Sequence, residues 1–142
     1  MTRELAENFI RWSMAGNSED RFRPNEHLHL VLRLMYYSHI KTVYIRRLTP
    51  SDIEKSPDGS GYANYTTERG GEYLYSARIE KEEMDLLEAY IKKHNVEQDK
   101  PIIQVGERAL TKIFDRVAEM YKVSGEPIPR LFDVYKAGIE KE

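Results

Sequence analysis

The stretch that decides the fold is NEHLHLVLRLMYYSH, residues 25–39. Its apolar side chains recur at helical spacing and cover a broad stripe, which is typical of a helix with most of its surface buried. The stripe is formed by Leu28, Val31, Leu32, Leu34 and Met35. We therefore predict a central helix that begins after Pro24, with Asn25 as its N-cap, and that ends near Ser38 and His39.

Helical patterns also lie on both sides of this stretch. They are separated by segments that contain helix-breaking residues: Gly-Asn-Ser at 16–18, a turn around Pro50, and a loop over residues 56–61. The spacing of the apolar residues predicts helices over residues 3–14, 40–47, 81–94 and 111–122, and one short final helix over 130–138.

A β-hairpin pattern separates the earlier helices from the later ones. Residues 62–67 are rich in Tyr and Thr, Arg69-Gly70-Gly71 suits a turn, and residues 72–79 alternate with Tyr73, Tyr75 and Ala77 on one face. The order of elements predicts an α+β fold, a mostly helical single domain over 1–142 with a small antiparallel hairpin or sheet.

The composition restricts the function classes. The 22 basic and 24 acidic residues leave a net charge of -2, so nucleic acid could bind only at a local basic face. The absence of cysteine excludes disulfides, cysteine-based zinc sites and a cysteine nucleophile. We expect a cytoplasmic protein, because no apolar run is long enough for a membrane span and no secretory signal is visible at the N-terminus.

The composition also bears on the source. Abundant charged residues, ten tyrosines and no cysteine are typical of proteins from hot environments. Viral and archaeal proteins from moderate temperatures share this composition, so a thermophilic, archaeal or viral origin stays an expectation.

The order of these elements resembles the catalytic domain of the tyrosine recombinases, the family of the phage integrases. The turn Leu48-Thr49-Pro50-Ser51-Asp52-Ile53 is similar to the Leu-Arg-Trp-Ser-Asp-Ile turn of that family. The resemblance covers residues 24–138 and implies an integrase-like domain, preceded at 1–23 by an N-terminal helix and connector. The other matching segments are residues 36–44, 64–79, 86–91, 101–103, 110–125 and 127–130.

Several family positions hold different residues in this sequence. When the two patterns are registered on Asp52, the catalytic arginine falls on Lys41, the glycine before it on His39 and the glutamate of the same box on Tyr44. The hairpin lysine has no counterpart, although Arg69 lies in the turn nearby.

The last family box is also altered. Its histidine position falls on Arg130 and its arginine position on Asp133, and the sequence ends at Glu142 before the segment of the nucleophilic tyrosine would occur. Phosphodiester cleavage needs arginine forks that stabilise the phosphate oxygens, and a lysine supplies only a point charge. The resemblance therefore implies a DNA-binding scaffold that lacks the catalytic Arg, His and Tyr set. Its role would be regulatory, architectural or that of a remnant integrase in DNA recombination, and its status as an enzyme stays open.

The resemblance implies double-stranded DNA as the partner, held by basic residues on one face. Arg33 and Lys122 also lie on the relevant helices, but each basic residue has an ordinary alternative as a helix end, exposed turn or salt-bridged helix face. The expected DNA-binding residues are Lys41, Arg46, Arg47, Arg69, Lys112, Arg116 and Arg130.

No metal ion or cofactor is expected from the sequence. His27 and His29 are two residues apart and cannot face one ion from a helix, and His39 and His94 stand alone. No phosphate-binding loop, dinucleotide motif or Ser-His-Asp order is present, and Tyr121 or Tyr135 as a displaced nucleophile is disfavoured.

Two other hypotheses remain open at this stage. The chain can be a small protein–protein interaction module whose Tyr-rich hairpin pairs with a partner or with its own copy in a homo-oligomer. Alternatively, it can be an active recombinase or nuclease that receives its nucleophile from another chain, although it would then need a substitute for the missing arginine forks.

Overall fold

The computed structural model describes residues 2–15, 26–66, 74–124 and 130–140. It confirms the α+β class, with mostly helical structure and one small antiparallel sheet. Within these ranges no helix has the length and apolar character needed to cross a membrane. The elements are α1 (Arg3–Ala15), α2 (Glu26–Ser38), α3 (Thr42–Ile45), a 3-10 turn (Pro50–Asp52), β1 (Ile53–Lys55), β2 (Gly61–Thr66), β3 (Leu74–Ile79), α4 (Lys81–Lys93), α5 (Glu107–Ser124) and α6 (Leu131–Glu140).

Helix α2 forms the centre of the fold, as its apolar stripe predicts. It contacts α1, α3, α4, α5, α6 and β3, so apolar side chains are buried around most of its circumference. The rings of Phe9 in α1 and Phe114 in α5 pack edge to face in the same core, with their centres 5.8 Å apart. The apolar residues of α2 with at most 1% exposure are Leu28, Leu30, Val31, Leu32, Leu34, Met35 and Tyr36.

Two polar side chains of α2 are satisfied inside the protein. The His29 Nδ1 atom lies 3.1 Å from the Ile10 carbonyl oxygen and 3.0 Å from Ser13 Oγ, which ties α2 to α1. Arg33 donates from Nε and Nη2 to Glu83 Oε2 at 2.8 and 2.5 Å, which ties α2 to α4. Since Glu83 is only 2% exposed, this ion pair is part of the packing between the two helices.

The turn that carries the family resemblance has a structural role. Asp52 Oδ2 accepts hydrogen bonds from the Thr49 backbone N–H at 2.9 Å and from Thr49 Oγ1 at 3.1 Å, which caps the 3-10 turn. The Leu48 carbonyl then accepts from the Ile102 N–H at 2.8 Å. The turn therefore fixes the segment that leads from α4 to α5.

The sheet has one strand more than the predicted hairpin. Strand β1 pairs antiparallel with β2, with Ile53 opposite Ala63, and β2 pairs with β3, with Ala63 opposite Ala77. The sequence does not reveal strand β1, because a run of three residues shows no readable alternation. The predicted hairpin turn around Arg69 and the predicted stop at 16–18 lie outside the described residues.

Some predicted boundaries differ from the structure. Helix α3 spans only Thr42–Ile45, because His39 has a φ of 58° and Lys41 is extended, so the backbone turns before the helix begins. Helix α5 begins at Glu107, a turn earlier than predicted. The segment 101–103, one of those that carry the resemblance, forms no strand, although Ile102 and Ile103 are buried.

Helix α6 approaches α2 very closely at Gly138. A Cβ atom at this position would lie 2.3 Å from the Tyr36 carbonyl oxygen and 2.9 Å from its Cα atom. Both are backbone atoms of a buried helix, so they cannot move aside cheaply. Only glycine fits this crossing.

We expect Gly138→Ala to lower the free energy of unfolding by about 2 kcal/mol, because the added methyl group must push α6 away from α2. Gly106→Ala is the matched control, since no atom lies within 4 Å of its Cβ position. At position 106, alanine is a weaker N-cap than glycine but also makes the unfolded chain stiffer. These two effects oppose each other, so the free energy of unfolding should hardly change. Urea denaturation measures both, and equal effects of the two substitutions would contradict the close crossing.

The protein should lose stability in acid because of His29. Burial first, and the Arg33 charge second, lower the pKa of His29 to about 4. The unfolded chain, with an ordinary pKa of 6.5, then binds the proton more readily, so this stabilisation is complete above pH 6.5 and is lost as the pH falls towards 4.

Between pH 7 and pH 4 we expect His29 to account for a loss of about 3 kcal/mol in the free energy of unfolding. The lowered pKa values of His27 and Glu26 act in the same direction, so the test is the difference between wild type and His29→Gln. Denaturation measured across this range should show that the free energy of unfolding falls less steeply with decreasing pH in the variant than in wild type. An identical pH dependence would show that His29 is not the responsible group.

Candidate nucleic-acid interface

A cavity of about 360 Å³ lies where the α2–α3 junction faces α5 and α6. Its wall is apolar at the base, where Met35 and Leu110 are buried, and charged at Lys41, Arg46 and Glu107. The remaining lining residues are Thr42, Val43, Thr111, Leu131, Phe132 and Tyr135.

Lys41 lies at this cavity because the chain turns sharply before α3. His39 has left-handed backbone, and Lys41 is the extended N-cap residue of α3. The Lys41 side chain is exposed, and its Nζ atom lies 6.0 Å from the centre of the Tyr135 ring. A cation over an aromatic ring keeps its charge available to an anion on the solvent side.

Arg46, at the other end of α3, forms a more buried part of the same wall. Its side chain is 23% exposed, and its Nη2 atom lies 3.7 Å from Glu107 Oε2. The Nε atom of Arg46 is buried and has no hydrogen-bond partner among the described residues. Since a buried, unsatisfied donor is costly, this guanidinium retains an unused hydrogen-bonding position.

A second depression of about 250 Å³ lies between α3 and the sheet, and Arg47 lines it together with Asp52 and Asn64. Three tyrosines stack beside it. The rings of Tyr44 and Tyr65 are 5.1 Å apart, and those of Tyr65 and Tyr75 are 5.6 Å apart. Arg47, next to Arg46 in the chain, and the aromatic stack therefore belong to this second depression.

The other predicted DNA-binding residues are more scattered. Lys112 is exposed and lines a shallow surface that shares Glu107 and Thr111 with the cavity. Arg116 is exposed one turn further along α5. Arg130 is 76% exposed and lies 3.8 Å from Asp133 Oδ2. Arg69 and the side chain of Lys122 lie outside the described part of the structure.

One basic residue from the sequence analysis is not at this face. Arg33 is only 16% exposed, and its guanidinium binds Glu83, lies 3.4 Å from Glu82 Oε2 and lies 5.2 Å from the centre of the Tyr37 ring. It is therefore a core ion-pair residue, and the expectation that it contributes to a DNA-binding face is wrong.

Sequence reasoning missed three residues of the cavity. Glu107 was not connected with Arg46, because the two are far apart in the sequence and no local pattern joins them. Phe132 is 50% exposed and Tyr135 partly buried, and both were assigned simply to the short final helix. Their spacing of three residues on α6 was the available signal.

The expectation that His94 stands alone is also wrong. His94 follows α4, and its ring lies 5.2 Å from that of His27 at the start of α2. Together with Glu26 these residues form the one group of three potential metal-ligating side chains found within the described ranges. It is separate from the cavity.

The fold is similar to that of a solved recombinase structure. It matches the crystal structure of XerA recombinase with a TM-score of 0.66 over 97% of this chain, at 12% sequence identity. The chain spans 48% of the length of that recombinase chain. This likeness supports the recombinase-like fold expected from the order of the sequence motifs.

No protein-family model matches the sequence, and no match was found among curated proteins. At this low identity the structural likeness is one of fold alone. The chemistry that the chain offers is therefore set by the residues at the cavity.

Proposed function

We propose that this chain binds double-stranded DNA through the cavity at the α2–α3 junction and does not cut it. The observation that carries the proposal is the placement of Lys41 and Arg46 in one wall, with the buried Nε of Arg46 unsatisfied. When the sequence is aligned with the tyrosine recombinase pattern on Asp52, Lys41 occupies the position of an arginine that binds phosphate. A phosphate oxygen at the Arg46 guanidinium would accept a charge-assisted hydrogen bond and be neutralised by the nearby Lys41.

The net charge of -2 is compatible with this proposal, because phosphate binding depends on the local field. Arg47 and Lys112 extend the basic surface on either side of the cavity. Acidic Glu107 opposes it, since its carboxylate lies close to Arg46. We infer a binding mode in which the phosphate backbone displaces the Glu107 carboxylate from the guanidinium.

The absence of cleavage is supported by the chemistry of the registered positions. Lys41 carries a single ammonium group, so it cannot donate two parallel hydrogen bonds to the phosphate oxygens of the transition state as an arginine can. Asp133, at the second arginine position, is an acid beside Arg130 and would repel the phosphate. A scaffold of this kind serves a regulatory or architectural role on DNA.

The first test is a fluorescence-anisotropy titration of labelled duplex DNA at two salt concentrations. With three phosphate contacts, affinity should fall roughly fortyfold between about 50 and 200 mM salt, and Lys41→Gln should reduce this to about twelvefold by removing one contact. Glu107→Gln should tighten binding several-fold, because it frees Arg46 and removes a negative charge.

The matched control is Lys81→Gln, which also removes one positive charge but lies on α4 and does not line the cavity. It should leave the salt slope unchanged. Absence of binding at low salt, or equal effects of Lys41→Gln and Lys81→Gln, would rule out the cavity as a DNA site. A linear duplex incubated in parallel should stay uncut.

A second candidate function is favoured by the edge of the sheet. Strand β3 pairs only with β2 within the described ranges, and Tyr75 on β3 is 47% exposed. An exposed aromatic strand can add to the edge of another sheet, in a protein partner or in a second copy of this chain.

If this edge mediates self-association, Tyr75→Lys should weaken the dimer about tenfold, because it removes a stacking aromatic and places a charge at the edge. Sedimentation velocity over a concentration series measures this. A monomer at all concentrations, for both wild type and variant, would exclude self-association by this edge. Persistent dimerisation of Tyr75→Lys would place the interface elsewhere.

A further inference from the structure

A cluster of side chains with metal-ligand chemistry lies at the start of α2. Glu26 and His27 occupy the first turn of that helix, and His94 is the C-cap residue of α4. Each offers one ligand atom, and these atoms all lie within 4.8 Å of one another. His94 is distant in sequence from Glu26 and His27, and it meets them only because α4 packs against α2.

The distances suit a transition-metal ion after small side-chain adjustments. His94 Nε2 lies 2.7 Å from Glu26 Oε1. Ligand atoms about 2.1 Å from a tetrahedral zinc ion lie about 3.4 Å apart. The Glu26 carboxylate and the His94 imidazole must therefore move slightly apart, and the two ligand atoms that are farthest from each other must move closer together. Rotation of the side chains can supply both movements.

The surroundings supply the supporting contacts that metal ligands require. The Tyr90 hydroxyl contacts His27 Nδ1, so a metal at Nε2 leaves Nδ1–H to donate to the tyrosine oxygen. Lys93 Nζ donates to Glu26 Oε2 at 2.8 Å, which orients the carboxylate and leaves Oε1 for the ion. Tyr90 is buried, so its ring gives the site a fixed wall.

A purely structural network accounts for part of this arrangement. The ion pairs from Glu26 to Lys93 and to His94 need no metal. They do not involve His27, whose Nδ1 contacts the Tyr90 hydroxyl and whose ring lies 5.2 Å from that of His94. An ion between the two imidazoles would join His27 to this network.

We propose that Glu26, His27 and His94 bind a divalent transition-metal ion of the zinc class, with water completing its coordination. Two imidazoles and one carboxylate are a ligand set that zinc accepts and that magnesium does not prefer. The ion joins the start of α2 to the end of α4 and stabilises the packing of those helices. This site is independent of the DNA-binding proposal.

The test is thermal unfolding of the full chain, first stripped with EDTA and then titrated with Zn²⁺, Ni²⁺ or Mg²⁺. At a zinc concentration roughly 100 times the dissociation constant, the melting temperature should rise by about 8 °C. Mg²⁺ at the same concentration should have no effect. Calorimetric titration should give one zinc ion per chain.

The ligand variants are His27→Gln, His94→Gln and Glu26→Gln, each of which should weaken zinc binding at least tenfold. Tyr90→Phe keeps the ring but removes the hydroxyl, and should weaken it about tenfold through His27. The control is His39→Asn, which removes a histidine elsewhere and suits the left-handed backbone at that position. It should bind zinc as wild type does.

A Co²⁺ absorption spectrum keeps the proposal testable even where a variant melts early. Intense visible bands in wild type that are absent from His94→Gln would support the site. Zinc stabilisation that persists in both histidine variants, or is no larger than that of Mg²⁺, would overturn it.

Discussion

The near-complete burial of α2 is the constraint on which the rest of the structure depends. A helix whose apolar side chains cover most of its circumference must be surrounded, and here α1, α4, α5, α6 and β3 surround it. Its few polar groups must then be satisfied internally. His29 is held by Ile10 and Ser13, and Arg33 by Glu83, so the polar contacts also fix which helix lies on which side.

The cavity that we propose to bind DNA follows from this packing. Helix α2 ends at Ser38, the left-handed His39 reverses the backbone, and Lys41 emerges at the edge of the core. Helix α6 is held against the same end of α2 by the close approach of Gly138 to the backbone of Tyr36. The basic side chains are therefore presented by rigid elements, and a charge placed there need not be ordered on binding.

Much of the fold could be predicted from the sequence, because helix periodicity over 25–39 and 81–94 is a local property. The third strand could not, since residues 53–55 are too few to show alternation and pair only through tertiary contact. Lys41 was predicted as a site residue from its register, and Arg46 from its place among the basic residues of the segment after α2. The partnership of Arg33 with Glu83 and the meeting of His27 with His94 were not, because both depend on how α4 packs against α2.

The residues that carry the family resemblance divide into two kinds. Asp52 caps the 3-10 turn and His39 adopts left-handed backbone, so both act through backbone geometry. Lys41 and Asp133 fall at phosphate-binding positions only in the register that the sequence resemblance implies. At 12% identity the likeness to the recombinase concerns the fold, and these two positions bear on function only through the proposal.

The two proposed sites can be tested separately because they lie at opposite ends of one helix. Glu26 begins α2 and Ser38 ends it, and a helix of 13 residues is about 20 Å long. Charges this far apart on a solvated surface are largely screened at physiological salt. A substitution at the proposed metal cluster should therefore change DNA binding only by changing the stability of α2. If such a variant stays folded and its affinity for DNA still changes, the two sites are mechanically coupled along that helix.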